Sequence, residues 1–373
     1  MENRNILYSL DTIPAHTKIA IYGSGKIGSG FKSYIEERRD DLVVTCFIDS
    51  FNSGKKNRIE IIKIEDIAEN KHLFDVIIVA SSVWDQIEDS LINRNYPHYI
   101  ISNELMYGTV DIRVLGSFRF DIAEREKIRE RLNVIGSFFD VTDRYYFELL
   151  RDLRISDNES AIFDFLKTVK ERYKVAYLDY VDKDFKGNTI FEGGVSDGSD
   201  SVNFYNFFNN ADLRIYGFEP FIEAFESSVN MPELIQKSMK VFPWALWNQD
   251  EDLHFRKNEF SASTSSVVRF DSALVISEYT TVKGCKIDSF VKDNGIDSVC
   301  LFKLDIEGAE MEALEGAREM IRKYKPQLAI SIYHKKEHLF EIPELLKELH
   351  PGYKFKLGFY SPTFIDTVLY ALP

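Results

Sequence analysis

Three side chains suited to acid–base chemistry sit just past apolar runs: Asp305, Glu307 and His334. Asp305 and Glu307 follow Ser298–Leu304, and His334 follows Gln327–Tyr333. In an open α/β sheet, the carboxyl ends of neighbouring strands share one crevice. The three can therefore converge there. Imidazole, with an unperturbed pKa of ~6.5, suits removal of a hydroxyl proton, and a carboxylate can do so when buried or hydrogen-bonded. His334 or Asp305 is the expected base, with Glu307 completing the catalytic set. The same three groups form a set for Mg²⁺ or Mn²⁺, although they make no HxH or DxD pair among themselves to support a metal site. Plainer roles compete. Asp305 and Glu307 can serve the helix that begins nearby, Glu310 reads as a first-turn acid of that helix, and His334 can bond to backbone.

A glycine turn stands ahead of this set. Thr189–Phe191 leads into Glu192-Gly193-Gly194-Val195-Ser196-Asp197-Gly198, and a helix capped by Ser199 or Asp200 is expected next. Glu219 closes the next apolar run, Leu213–Phe218, 21 residues beyond Gly198, and Pro220 follows it. The pattern suits S-adenosylmethionine. That molecule has no phosphate, so the turn need not cradle an anion, and glycines admit close backbone approach. A strand-end carboxylate such as Glu219 can accept from both ribose hydroxyls. Glu192 would face the ammonium group. Gly193, Gly194, Ser196 and Gly198 would line the methionine moiety, Ala245 and its neighbours would lie beside the adenine, and Asp305 would border the methyl group.

A second glycine turn lies near the N terminus. Gly23-x-Gly25-x-x-Gly28 follows the run Lys18–Tyr22, and Asp49 lies 21 residues beyond Gly28. This is the dinucleotide fingerprint, with an acid placed for ribose hydroxyls. Three outcomes stay open: NAD, another nucleotide or nucleotide sugar at the helix N-terminus, or a purely structural turn.

The elements that must position these residues follow from periodicity. Lys18–Tyr22, Leu42–Ile48, Phe74–Ala80 and His98–Ser102 read as strands. Phe31–Arg39 and a segment carrying Trp84, Ile87, Leu91 and Ile92 on one face read as helices. A charge-rich stretch, 111–173, reads as helices that pack within the chain or pair two copies. The α/β pattern then restarts, with strands at Thr189–Phe191, Leu213–Phe218, Val241–Trp247, Ser298–Leu304 and Gln327–Tyr333. One helix is expected with Met311, Leu314, Ala317, Met320 and Ile321 on a face. Tyr353–Tyr360 and Thr367–Leu372 should form a closing antiparallel hairpin. The expected organisation is a smaller Rossmann-like domain (1–110), a helical connector (111–185) and a Rossmann-like domain with a five-stranded parallel sheet (186–373). The polar loop 260–266 is either part of an acceptor pocket or a solvated turn.

Composition excludes several classes. A chain of 373 residues with 45% hydrophobic content can hold two cores. A net charge of −14 opposes a nucleic-acid backbone. No apolar run is long enough for a membrane span, and Cys46, Cys285 and Cys300 are too scattered for a disulfide framework or zinc site. With its polar N terminus, the chain is expected to be cytoplasmic.

The stretch from Thr189 onward resembles the FkbM family of S-adenosylmethionine-dependent methyltransferases. The resemblance rests on Phe302-Lys303-Leu304-Asp305-Ile306-Glu307-Gly308-Ala309-Glu310, Gly217-Phe218-Glu219-Pro220, Ile332-Tyr333-His334 and Thr367-Val368-Leu369-Tyr370-Ala371, in that family's order over about half the chain. The family usually has Asp where this chain has Glu192. The resemblance implies a class I methyltransferase fold and O-methylation of a sugar or a natural-product hydroxyl. The N-terminal YGSGKIG turn and FIDS strand end are similar to the nucleotide-binding domain of certain sugar acyltransferases. That favours a nucleotide-linked sugar destined for surface polysaccharide. The competing classes are methylation of a secondary metabolite, an NAD-dependent oxidoreductase and a non-catalytic sensor. No Tyr-x-x-x-Lys pair suited to a short-chain dehydrogenase follows the N-terminal turn.

Overall fold

The computed structural model describes residues 5–56, 58–81, 83–102, 105, 120–155, 176–221, 237–256, 279–360 and 367–373. Loop 260–266 and the turn of the C-terminal hairpin lie outside them. The described residues fall into two compact α/β units, 5–105 and those from 120 onward.

The first unit is a seven-stranded sheet of β1 (Ile6–Leu7), β2 (Lys18–Tyr22), β3 (Val43–Asp49), β4 (Gly54–Lys56), β5 (Ile59–Lys63), β6 (Val76–Val79) and β7 (His98–Ile101). Its order is β1-β7-β6-β2-β3-β5-β4, parallel except for β4. Side chains alternate along a strand. Ala20 and Tyr22 therefore pack into one core with Trp84 and Leu91, while Ile19 and Ile21 pack into another with Phe31 and Ile35. Covering both faces is why β2 reads as an unbroken apolar run. The first helix spans Lys26–Arg38, starting before the expected Phe31. On the helix Trp84–Asn93, Trp84, Ile87 and Leu91 are buried but Ile92 is 50% exposed, so the apolar face is narrower than expected.

The second unit contains β8 (Thr189–Gly193), β9 (Arg214–Phe218), β10 (Met239–Phe242), β14 (Leu301–Leu304), β15 (Gln327–Ser331), β16 (Lys354–Phe359) and β17 (Thr367–Leu372) in the order β10-β9-β8-β14-β15-β17-β16. The first five run parallel, and the terminal hairpin is antiparallel. Gly193 lies opposite Phe218 on one side and Leu304 on the other, and Leu304 lies opposite Ile330. This level register brings the residues that follow, Gly194, Glu219 and Asp305, to one edge.

Two expected elements are broken. Val241–Trp247 divides at Pro243, which has no N–H for a ladder. Met239–Phe242 stays in the large sheet. β11 (Trp244–Leu246) instead joins β12 (Asp252–Arg256) and β13 (Tyr279–Cys285) in a three-stranded sheet. The helix expected over 311–321 is two, Glu310–Glu315 and Arg318–Tyr324. A Cβ at Gly316, between them, would lie 2.1 Å from the Trp247 carbonyl oxygen. The helices Arg125–Gly136 and Val141–Ile155 belong to this unit. Asp143 and Asp140 hold Lys356, and Phe139 packs on Phe147 and Phe355.

Candidate active site

The turn after β8 is built on left-handed residues: Gly194 (φ 77°), Ser196 (φ 50°) and Gly198 (φ 81°). A Cβ at Gly194 would sit 1.9 Å from the Asp305 carbonyl oxygen, so the turn presses directly against the next strand end. Gly198, rather than Ser199 or Asp200, caps the helix Ser199–Phe208. Glu219 reaches back to this turn. Its Oε2 accepts from the Ser196 N–H at 3.0 Å and its Oε1 from the Phe221 N–H at 3.1 Å. Burial raises the Glu219 pKa, and these two N–H groups oppose the rise. Pro220 follows, and Phe221 packs with Ala245 and Ala309 in one apolar cluster.

Glu192 is fully buried. Its Oε2 accepts from the Ser201 hydroxyl, and among the described residues its Oε1 has no hydrogen-bond partner, the Lys303 ammonium standing 3.9 Å away. Burial pushes Glu192 up to about 7, against the pull of Lys303 and Ser201. Lys303 is 1% exposed. It donates to the Gly194 carbonyl at 2.6 Å and lies 3.3 Å from Asp200. In the sequence Lys303 stands only as one residue of the family motif, with no role attached, and Ser201 carries no signal. An alternation rule treats Lys303 as one more position in an apolar run.

The acid–base set gathers on the other side of the turn. Asp305 Oδ2 accepts from the Tyr177 hydroxyl at 2.8 Å and Oδ1 from the Tyr333 hydroxyl at 3.1 Å. Tyr177 comes from the stretch ahead of β8, outside the expected 186–373 domain. His334 is 1% exposed. Among the described residues its Nε2 has no hydrogen-bond partner, and it points between Asp305 Oδ1 (3.5 Å) and Glu307 Oε2 (3.4 Å), both carboxylates being 27% exposed. Its Nδ1 lies 2.8 Å from Glu310 Oε1. Glu307 is itself left-handed (φ 55°), as is Gly308, which turns the Glu307 carboxylate toward the histidine. Burial lowers the His334 pKa, but the charge and hydrogen bond of Glu310, helped by Glu307 and Asp305, outweigh it and lift the imidazole to about 9. Burial likewise opposes ionisation of Glu310, yet His334 and His338 bring it down to about 2.

Among the described residues, Asp305, Glu310 and His334 can each bring one ligand atom within 4.8 Å of the others. The expected trio had Glu307 in place of Glu310. Glu310 thus does more than its first-turn position suggests.

In the first unit, Gly28 packs so closely on Gly23 that a Cβ would lie 1.8 Å from its carbonyl oxygen, while nothing lies within 4 Å of a Cβ at Gly25. Asp49 turns inward. Its Oδ2 accepts from the Ser24 hydroxyl (2.5 Å) and N–H (3.3 Å), and its Oδ1 from the N–H groups of Phe51 (2.9 Å) and Asn52 (3.0 Å). Burial alone would raise its pKa, and these donors hold it below the usual range. Both oxygens are therefore engaged by the protein's own loops. Among the described residues no helix is long and apolar enough to cross a membrane, and the three cysteines are free and buried.

The parallel sheet with an antiparallel closing hairpin, and the glycine turn facing a strand-end acid, make a Rossmann-like architecture with a ligand crevice at the carboxyl ends of its strands. Residues 193–357 match the family model described as the methyltransferase FkbM domain. A crystal structure of methyltransferase FkbM from Methylobacillus flagellatus KT is similar over 96% of this chain and 90% of that one, with TM-score 0.63 and 18% identity. Two weaker similarities are to a putative rRNA-methylase from Clostridium thermocellum (TM-score 0.30, 14% identity, 51% of this chain and 91% of that one) and to C. glutamicum DAP dehydrogenase in complex with DAP (TM-score 0.21, 12% identity, 28% and 35%). No curated protein matches the sequence significantly.

Proposed function

We propose that the chain is an S-adenosylmethionine-dependent O-methyltransferase whose acceptor is a sugar hydroxyl, plausible acceptors being nucleotide-linked sugars used for surface polysaccharide. The observation that carries this reading is His334. Its Nδ1 is held by Glu310, and its Nε2, which makes no hydrogen bond among the described residues, lies between the carboxylates of Asp305 and Glu307. A buried polar atom that makes no hydrogen bond is costly, and an acceptor hydroxyl placed at Nε2 would supply one.

S-adenosylmethionine supplies an electrophilic methyl group on a sulfonium sulfur. The chain's residues would then bind and orient. Glu219 is placed to accept from ribose hydroxyls, and Glu192 Oε1, which makes no hydrogen bond among the described residues, is a candidate acceptor for the ammonium, directly or through water. Methyl transfer is chiefly a matter of alignment. His334 Nε2 would take the hydroxyl proton as the new C–O bond forms and the C–S bond breaks. Asp305, fixed by two tyrosine hydroxyls, and Glu307 would accept from neighbouring hydroxyls of the acceptor. Carboxylates flanking the imidazole suit a neutral polyol. They oppose an anionic group at the reacting carbon, so the phosphates of a nucleotide sugar would lie away from this edge.

The first test is a thermal-shift panel with S-adenosylhomocysteine, NAD and nucleotide sugars. A ligand at ~100 times its dissociation constant stabilises by ~2.7 kcal/mol. A shift with S-adenosylhomocysteine is expected. A shift with NAD alone would move the active site to the first unit, where the engaged Asp49 argues against a dinucleotide. Turnover should be insensitive to EDTA. If Mg²⁺ or Mn²⁺ bridged the acids and His334, chelation would abolish turnover and Mn²⁺ would restore it.

A further inference from the structure

We propose that Lys303 is a positioning residue that sets the shape of the cofactor turn, linking it to the acid that anchors the acceptor side. The proposal rests on the S-adenosylmethionine reading above.

Lys303 is the third residue of β14, a strand flanked by β8 and β15 in the middle of the large sheet. An ammonium there is expensive to bury, and an apolar side chain of similar length would pack without that cost. The contacts it makes give the charge a local purpose. Its ammonium donates to the Gly194 carbonyl (2.6 Å), lies 3.3 Å from Asp200 and 3.9 Å from Glu192, and stands 4.9 Å from the centre of the Tyr177 ring. Glu192 is the penultimate residue of β8, Gly194 is the first left-handed residue of the turn, and Asp200 lies in the first turn of the following helix. One ammonium therefore ties together the three segments that make up the turn.

The consequences run in two directions. Gly194 leads to Ser196, whose N–H holds Glu219 in place. Freeing the Gly194 carbonyl should therefore loosen the acid assigned to the ribose. On the other side, the Tyr177 hydroxyl donates to Asp305. Burial opposes the charge on Lys303, but Asp200 and Glu192 more than offset it and keep the group ionised.

The test uses the full chain, S-adenosylhomocysteine as the probe, calorimetric titration and thermal unfolding. Lys303→Met alone strands the Glu192 charge and can fail to fold for that reason. The informative comparison is therefore Glu192→Gln against Lys303→Met/Glu192→Gln, which removes the stranded acid along with the lysine. The expected result is a double variant that unfolds cooperatively but binds S-adenosylhomocysteine at least five-fold more weakly than Glu192→Gln. A smaller difference overturns the proposal, because Lys303 would then only balance charge. Loss of cooperative unfolding also overturns it, because the role would then belong to the whole fold. A wild-type chain that does not bind S-adenosylhomocysteine defeats the underlying cofactor reading instead, a result distinct from either of these.

Discussion

The Nδ1 atom of His334 lies 2.8 Å from Glu310 Oε1, and both side chains are buried. The same Glu310 oxygen accepts from the Ile306 N–H at 3.0 Å and the Gly308 N–H at 3.4 Å. Glu310 is thus a first-turn acid and a partner of the histidine at once. A carboxylate bonded to Nδ1 fixes the ring orientation and leaves Nε2 facing the Asp305 and Glu307 carboxylates, and it favours the imidazolium formed when a proton is taken.

Replacing Glu310 with Gln should separate chemistry from binding. The amide keeps the shape but loses the charge that orients and supports His334. Turnover is expected to fall roughly 10²- to 10⁴-fold, the range of general-base catalysis. The affinity for S-adenosylhomocysteine should stay within about three-fold, since Glu310 touches neither the turn nor Glu219. Steady-state rates and a calorimetric titration on the same preparation check both halves. Equal loss in the two would mean that Glu310 only holds the fold.

The raised pKa of His334 gives a pH prediction with a definite sign. Its folded value, about 9, lies above the unfolded ~6.5. The stabilisation from its pairing with Glu310 is therefore complete below about pH 6.5 and lost as pH rises through about 9. The thermal midpoint should fall across that window, and His334→Asn should flatten the fall. Activity should run the opposite way, because a base must be unprotonated. For the free protein, kcat/KM should climb with pH toward about 9. A profile that is flat from pH 6.5 to 9 would remove His334 from the base role.

Glu219→Ala should weaken S-adenosylhomocysteine binding by about 1.5–3 kcal/mol, the loss expected for hydrogen bonds to a charged group. It should also leave the Ser196 and Phe221 N–H groups without their acceptor, so a modest drop in unfolding midpoint is expected beside it. Unchanged affinity would dissociate Glu219 from the ribose.

What could be read in the sequence was whatever depends on strand ends. Asp305, His334 and Glu219 each follow an apolar run, and a parallel sheet brings such ends together. Lys303, Tyr177 and the Glu310–His334 pairing were out of reach for three different reasons. Lys303 interrupts no hydrophobic period strongly enough to be noticed. Tyr177 enters from a stretch that carries no motif. Glu310 pairs with a histidine 24 residues away, and that distance encodes no contact until the helix and β15 are packed. The break at Pro243 was visible as a residue type. Its effect, sending Trp244–Leu246 into a second sheet, needed the partner strand Tyr279–Cys285.

Asp49 tests the first unit by itself. Its position 21 residues beyond Gly28 fits a ribose-binding acid, yet its two oxygens already accept from Ser24, Phe51 and Asn52. A carboxylate used this way stabilises the loops that follow β2 and β3. Asp49→Ala should cost about 0.5–1.5 kcal/mol, chiefly through the part-buried Ser24 donors, because the exposed Phe51 and Asn52 N–H groups can turn to water. Because its pKa is depressed in the fold, the stability it contributes is present above the unfolded value of ~3.9 and lost as pH falls through the lower folded value. The wild-type advantage over Asp49→Ala should therefore shrink in acid. S-adenosylhomocysteine affinity should not change, since every residue assigned to that ligand belongs to the second unit. If Asp49→Ala left stability untouched but abolished a thermal shift produced by a nucleotide, the acid would be a ligand group after all, and the first unit would be a working nucleotide site.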